Sequence, residues 1–221
     1  MKTFNILFAS ICLTLAVSCS QTPVQTEEND SNAVIETIMA RRSIRKYKAE
    51  PVPREIMDQI IKCGVNAPNA QNRQSWEIRV VDNPALLEEM KAAIAKGGPK
   101  LPPPPAPDGQ QPKMAPPVQG DCFRGAPVMV FIASDTTYPF SQFDCGLMAE
   151  NMVLSAWSLG VGSVCLGSAA KMLTGNEACK PYLEKLGFSE GFELSLCVGF
   201  GYADESPEAK PRDMAKVRYI D

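Results

Sequence analysis

Residues 141–159 constrain the fold most: Phe143, Leu147, Met148, Met152, Val153, Ala156 and Trp157 spread apolar groups round most of a helix circumference. A helix of that composition cannot lie on a surface with one face in water and must be covered on several sides. The segments around it supply the cover. Residues 128–133 form a continuous apolar β-type run, and residues 76–81 and 192–200 alternate in the manner of strands. Val34, Ile35, Ile38 and Met39 recur at helical spacing, as do Ile56, Met57, Ile60 and Ile61 after Pro53, a residue suited to a first helical turn. Residues 85–95 return to a helical pattern that Gly97-Gly98-Pro99 ends, residues 162–166 are a short apolar stretch, and 177–186 read as a further helix. Helices and strands interleave without an internal repeat, which predicts an α/β or α+β three-layer fold.

The remainder of the chain divides into three unlike pieces. Residues 1–19 have a lysine, an apolar run from Phe4 to Val17 and then Ser18-Cys19-Ser20, the pattern of an export signal too short for a comfortable membrane span. Ala16-Val17-Ser18-Cys19 is similar to a bacterial lipobox with its leucine one place early, so Cys19 is the expected lipidation site. An ordinary cleaved secretory signal is the alternative. Residues 20–32 are polar and acidic and read as a tether, so the folded domain is expected over residues 33–221. Within it, residues 99–117 are too rich in proline for helix or central strand and predict an extended loop, either a functionless insertion or a lid over a site.

Several chemistries are excluded. The chain has no histidine, which removes Ser-His-Asp and Cys-His nucleophilic machinery and histidine-ligated metals. No metal site is expected. Lys+Arg total 22 against Asp+Glu 25, with no long basic run to track a phosphate backbone, so nucleic acid is not an expected partner. Two of the 8 cysteines belong to the signal. The others (Cys63, Cys122, Cys145, Cys165, Cys179 and Cys197) form no C-x-x-C pair and mostly sit in apolar patterns, which predicts mainly free, buried thiols. The chemistry therefore falls to a cofactor.

Two clusters could hold one. Arg41-Arg42-Ser43-Ile44-Arg45-Lys46 closes the first helix, where cations also suit the helix dipole without any ligand. Guanidinium forks on either side of a hydroxyl are nonetheless suited to a phosphate dianion. The second cluster, residues 66–76, is a loop dense in side-chain amides, which can donate and accept along the edge of a heterocycle. Read alone, it is equally a turn-rich surface loop.

Together, and in this order, the clusters resemble the paired signature of nitroreductase-like flavoproteins: R-x-S-x-R at Arg41, Ser43 and Arg45, then A-P-N-A-Q-N-R-Q-S-W. The helix entered through Asp144 and ending in Leu159-Gly160-Val161-Gly162 resembles that family's central helix. Val164-Cys165-Leu166-Gly167 resembles its flavin-side loop, and Lys210-Pro211-Arg212 its terminal phosphate motif. The resemblance implies an α+β fold with a central mixed or antiparallel sheet flanked by helices, in an intertwined homodimer with FMN sites built from both chains. It implies that Arg41, Arg42, Ser43, Lys210 and Arg212 hold the FMN phosphate and that Arg45 lies at the pyrimidine edge. Pro68, Asn69, Ala70 and Asn72 would come from the partner subunit, and Leu166 and Gly167 would approach the ring with backbone N–H groups. No catalytic side chain is then needed, because the hydride passes through flavin N5 from NAD(P)H or another donor to a small acceptor such as a nitroaromatic or quinone.

Three departures from the family pattern bear on the acceptor: Ser75 in place of a proline before Trp76, Cys165-Leu166 in place of an acidic residue, and the proline-rich insert. An exported, membrane-anchored position would also leave little free NAD(P)H, which points to a membrane or exported redox partner as donor. The alternatives are a non-catalytic exported ligand-binding lipoprotein on the same fold and a specialised flavin chemistry such as reductive dehalogenation.

Overall fold

Four strands form one sheet in the computed structural model, which describes residues 32–96 and 121–220. They are β1 (Trp76–Val81), β2 (Val128–Asp135), β3 (Gly162–Cys165) and β4 (Phe192–Gly201), in the order β1-β2-β4-β3 with every ladder antiparallel. A parallel relation occurs only as the isolated bridge between Ser43 and Ser163. The expected α+β class therefore holds, and the sheet is antiparallel rather than mixed.

Strand β2 reads as an unbroken apolar run because it is central and buried on both faces. Its side chains still alternate: Met129 and Phe131 enter one cluster with Leu87, Met90, Phe123 and Leu173, whereas Val128, Val130 and Ile132 enter the other with Ile60, Met148, Met152 and Phe200. The first cluster lies beneath α3 (Pro84–Ala95), α5 (Gly167–Thr174) and α6 (Lys180–Leu186). The second lies beneath α2 (Arg54–Val65) and α4 (Ser141–Ser158). These are the three layers that the interleaved pattern predicts.

Two elements depart from expectation. Helix α5 has no counterpart in the sequence reading, since its buried residues are only Ala169, Ala170 and Leu173, too few for a clear period. The helix expected over 177–186 is a 3-10 turn, Glu177–Cys179, followed by α6. Pro181 sits in the first turn of α6, where its missing N–H costs nothing.

Within one chain, α4 is not covered all round. Met148, Met152 and Ala156 are buried against α2 and the sheet, while Phe143 is 70% and Leu147 47% exposed. Helix α1 (Ala33–Ala40) buries no residue, and its Met39 is 72% exposed. Large apolar groups left open on two helices mark an interaction surface.

All six domain cysteines are free. Cys122, Cys145, Cys179 and Cys197 are buried and Cys63 and Cys165 exposed, so the apolar pattern around Cys165 does not bury it. Burial pushes the Cys122 thiol up to about 12 and Cys145 up to about 11, which starves both of thiolate. In protein starting at residue 20, an aromatic disulfide reagent is expected to titrate at most two thiols quickly and the other four only after denaturant. Rapid reaction of a third would contradict this burial.

Candidate active site

The segment after α1 is extended and strapped from two sides. Ile44 N–H donates to the Ser163 carbonyl at 2.9 Å, and Lys48 N–H to the Tyr202 carbonyl at 2.9 Å. Asp204 N–H returns a bond to Lys46 at 2.9 Å, Tyr47 bridges Ala203, and the Arg45 N–H donates to the Glu205 carboxylate. Ile44 is the anchor, 1% exposed, and its Cγ1 lies 2.8 Å from where a Cβ on Gly162 would stand. With Ile44 turned inward, the period of two places Arg41, Ser43 and Arg45 together on the opposite side of the segment.

These groups have few internal partners. The Arg41 guanidinium is 3.9 Å from Glu150, and the Arg45 guanidinium makes one 3.2 Å bond to the Ser43 carbonyl. Arg42 behaves differently: one of its nitrogens donates to the carbonyls of Met39, Ala40 and Arg41 at 2.8 to 2.9 Å and so closes the end of α1. Here the cation at the helix end does what the helix end alone would ask of it.

Strand β3 delivers Leu166 and Gly167 beside this segment. The Leu166 amide donates to the Cys197 carbonyl at 2.7 Å and its side chain joins the core, so that amide is not open to a ring. Gly167 starts α5, where first-turn N–H groups have no intrahelical acceptor, and a Cβ there would meet nothing within 4 Å. Gly167 is the open amide of the pair.

The amide-rich loop is built against the other end of α4. Ala70 N–H donates to Asp144 Oδ1 at 3.1 Å, Ser75 Oγ to Asp144 Oδ2 at 3.3 Å, and the Tyr138 hydroxyl to the Ala70 carbonyl at 3.3 Å. The Ser141 hydroxyl donates to the Ser75 carbonyl, and the Arg73 guanidinium lies 4.2 Å over the Tyr138 ring. Asn69 serves the loop itself, its Oδ1 accepting from Gln74 N–H at 2.9 Å. Gln71, Asn72 and Gln74 all have positive φ, between 49° and 57°, at a typical cost of about 1–3 kcal/mol each for residues other than glycine. The side-chain amides of Gln71 and Asn72 have no hydrogen-bond partner among the described residues. Asp144, Ser141, Tyr138 and Glu205 are the contributors that sequence reasoning missed. The one signal was an acidic residue in the first turn of an otherwise apolar helix.

One chain does not bring the two clusters together. Ala70 meets α4 at Asp144, whereas the Ser43–Ser163 side meets it near Ala156, whose carbonyl takes the Val161 N–H. Twelve residues of helix separate those levels by roughly 18 Å. Lys210 and Arg212 are exposed, and among the described residues their only mutual bond is from Arg212 to the Lys210 carbonyl at 3.5 Å. A cavity of about 730 Å³ opens between Tyr138, Gln142, Lys171, Glu193 and Ser195, and none of the anticipated site residues lines it. The donors nevertheless suit FMN by type: guanidinium and hydroxyl groups for a phosphate, unpartnered amides and the open Gly167 N–H for a polar ring edge.

The Nitroreductase family profile matches residues 38–202. An NADPH-flavin oxidoreductase of Vibrio harveyi is 30% identical over 194 residues, 84% of this chain and 72% of that protein. A nitroreductase with bound FMN from Desulfitobacterium hafniense DCB-2 superposes with a TM-score of 0.73 at 26% identity, covering 87% of this chain and 100% of that one. A shorter match, 33% identical over 72 residues, covers 33% of this chain and 25% of iodotyrosine deiodinase 1 of Rattus norvegicus. Across the curated relatives it matches, the chain spans from 25% of their own length, through 60%, to 98%. The fold and the site thus define an oxidoreductase of the three-layer α+β class. The chain belongs to the nitroreductase family.

Proposed function

We propose that this oxidoreductase uses FMN in sites built from two copies of the chain, and moves two electrons from NAD(P)H or another donor to a small oxidised acceptor such as a nitroaromatic or quinone. The observation that carries the reading is the separation of two prepared half-sites by roughly 18 Å along one helix, each with unpartnered polar groups. The exposed Phe143, Leu147, Ile38 and Met39 offer the apolar surface that a second copy would cover.

Bound FMN supplies the two-electron chemistry. In this reading Arg41, Ser43, Lys210 and Arg212 hold the phosphate, with Arg42 beside them, and Arg45 sets a positive charge where negative charge accumulates on reduction. Pro68, Asn69, Ala70 and Asn72 reach the ring from the partner copy, and Gly167 approaches from the same chain as Arg41. Leu166 positions Gly167 through its bond to Cys197.

A mixed dimer tests the two-chain site. One copy carries R41A and the other N72A. In a shared site both lesions fall together and the second site is intact, so half the FMN binds with wild-type affinity. If each chain held its own FMN, both sites would be damaged and no tight half would remain.

The signal and Cys19 lie outside the described residues, and an exported lipoprotein is part of the proposal. Export makes a membrane or exported redox partner the physiological donor, and a micromolar Michaelis constant for NADPH in protein starting at residue 20 would remove that support. Reductive dehalogenation is a second reading, favoured by the deiodinase match. Halide release from an iodinated phenol under anaerobic reduction is the measurement that separates it.

A further inference from the structure

We propose that Asp144 is a positioning residue for the cofactor, holding the Asn69–Ser75 loop in the left-handed shape that presents Gln71 and Asn72; this rests on the FMN reading above. Asp144 is 3% exposed and is the one buried carboxylate among the described core residues. Its two oxygens take the two ends of the loop, Oδ1 from the Ala70 amide at 3.1 Å and Oδ2 from the Ser75 hydroxyl at 3.3 Å. A buried carboxylate left without such donors is costly, so the pairing is mutual: the loop satisfies the charge and the charge fixes the loop. Its place in the first turn of α4 adds the favourable end of the helix dipole.

Between those clamped ends lie three residues in the left-handed region, Gln71, Asn72 and Gln74, none of them glycine. Such backbone persists only where its surroundings over-determine it. Tyr138 on the Ala70 carbonyl and Ser141 on the Ser75 carbonyl guard the same two residues, so each end of the loop has a donor and an acceptor held by the β2–α4 corner. What the corner leaves unheld is the middle, where the side-chain amides of Gln71 and Asn72 lack partners. The device is a rigid frame around two free amides. It never touches the cofactor itself.

The test compares wild-type, D144A, D144N and S75A apoproteins by FMN fluorescence quenching. The two-electron midpoint potential of each loaded protein and hydrogen exchange at the Ala70 amide are read in parallel. D144A is expected to weaken FMN binding about tenfold to a hundredfold, to shift the potential and to speed Ala70 exchange. Asparagine keeps an oxygen for Ala70 and an amide for Ser75, so D144N should stay within about threefold with an unshifted potential. S75A, which keeps the Ala70 bond, should weaken binding about threefold and carries the test if D144A does not fold. Wild-type affinity and potential in D144A or, failing that, in S75A would overturn the proposal, as would D144N binding no better than D144A. A wild-type protein that binds no FMN at all would bring down the FMN reading, and this proposal with it.

Discussion

Alanine at both Arg41 and Arg45 is expected to raise the dissociation constant of the apoprotein for FMN by about a hundredfold or more while leaving the thermal midpoint within a few degrees. Hydrogen bonds to charged groups contribute roughly 1.5–3 kcal/mol each, which is about ten- to a hundredfold in affinity per arginine, with some loss of additivity between neighbours. The protein itself asks little of either side chain. Arg41 has a 3.9 Å approach to an exposed Glu150, and such surface pairs contribute little. Arg45 has one side-chain bond, and its structural tie to Glu205 runs through the backbone N–H, which alanine keeps. Titration with FMN and a melting curve decide the matter together. A large loss of midpoint would recast both residues as structural, and an unchanged dissociation constant would remove them from the cofactor site.

Valine at Gly162 should damage fold and site together. Its Cβ would stand 2.8 Å from Ile44 Cγ1, 3.1 Å from Ile44 Cβ and 3.2 Å from the Gly201 carbonyl oxygen, before its two methyl groups are added. Ile44 is fully enclosed and cannot yield without dragging Ser43 off its bridge to Ser163. Overpacking of this kind typically costs about 1–3 kcal/mol, and the backbone carbonyl on the far side places G162V at the upper end. The urea midpoint should fall accordingly, and FMN affinity should fall at least about tenfold in the fraction that remains folded. A variant with both quantities unchanged would mean that β3 and the Arg41–Arg45 segment are not locked as described.

Those two variants lie on opposite sides of what the sequence makes legible. Arg41, Ser43 and Arg45 stand out because their chemistry is local: three polar groups at a spacing of two, read directly from the chain. Likewise β2 and α4 are visible because each carries a long apolar run with a clear period. Helix α5 is not, since Ala169, Ala170 and Leu173 make too short a stripe. The contacts that organise the site are invisible for another reason, since they join residues far apart. Asp144 and Ala70 are 74 positions apart, Arg45 and Glu205 160, and nothing about a lone aspartate or glutamate announces the amide it will accept from. The same holds for the Leu166 amide. A backbone group has no side chain to advertise it, and only the register of β3 against β4 shows that Cys197 takes it.

Half-coverage of α4 is the most instructive difference. Its composition asks for burial on several sides, and a single chain leaves Phe143 and Leu147 in the open. The sequence pattern is thus better matched by two chains than by one, in line with the distance between the half-sites.

The visible absorption spectrum of the purified protein starting at residue 20, taken before and after anaerobic NADPH and then dithionite, tests the central claim most directly. The account predicts oxidised flavin bands that bleach on reduction, with FMN as the released cofactor at one per chain. Bleaching by dithionite alone would assign the physiological donor to a dedicated partner. A colourless protein that cannot be reconstituted with FMN would contradict the account and leave the fold as a ligand-binding scaffold without redox chemistry.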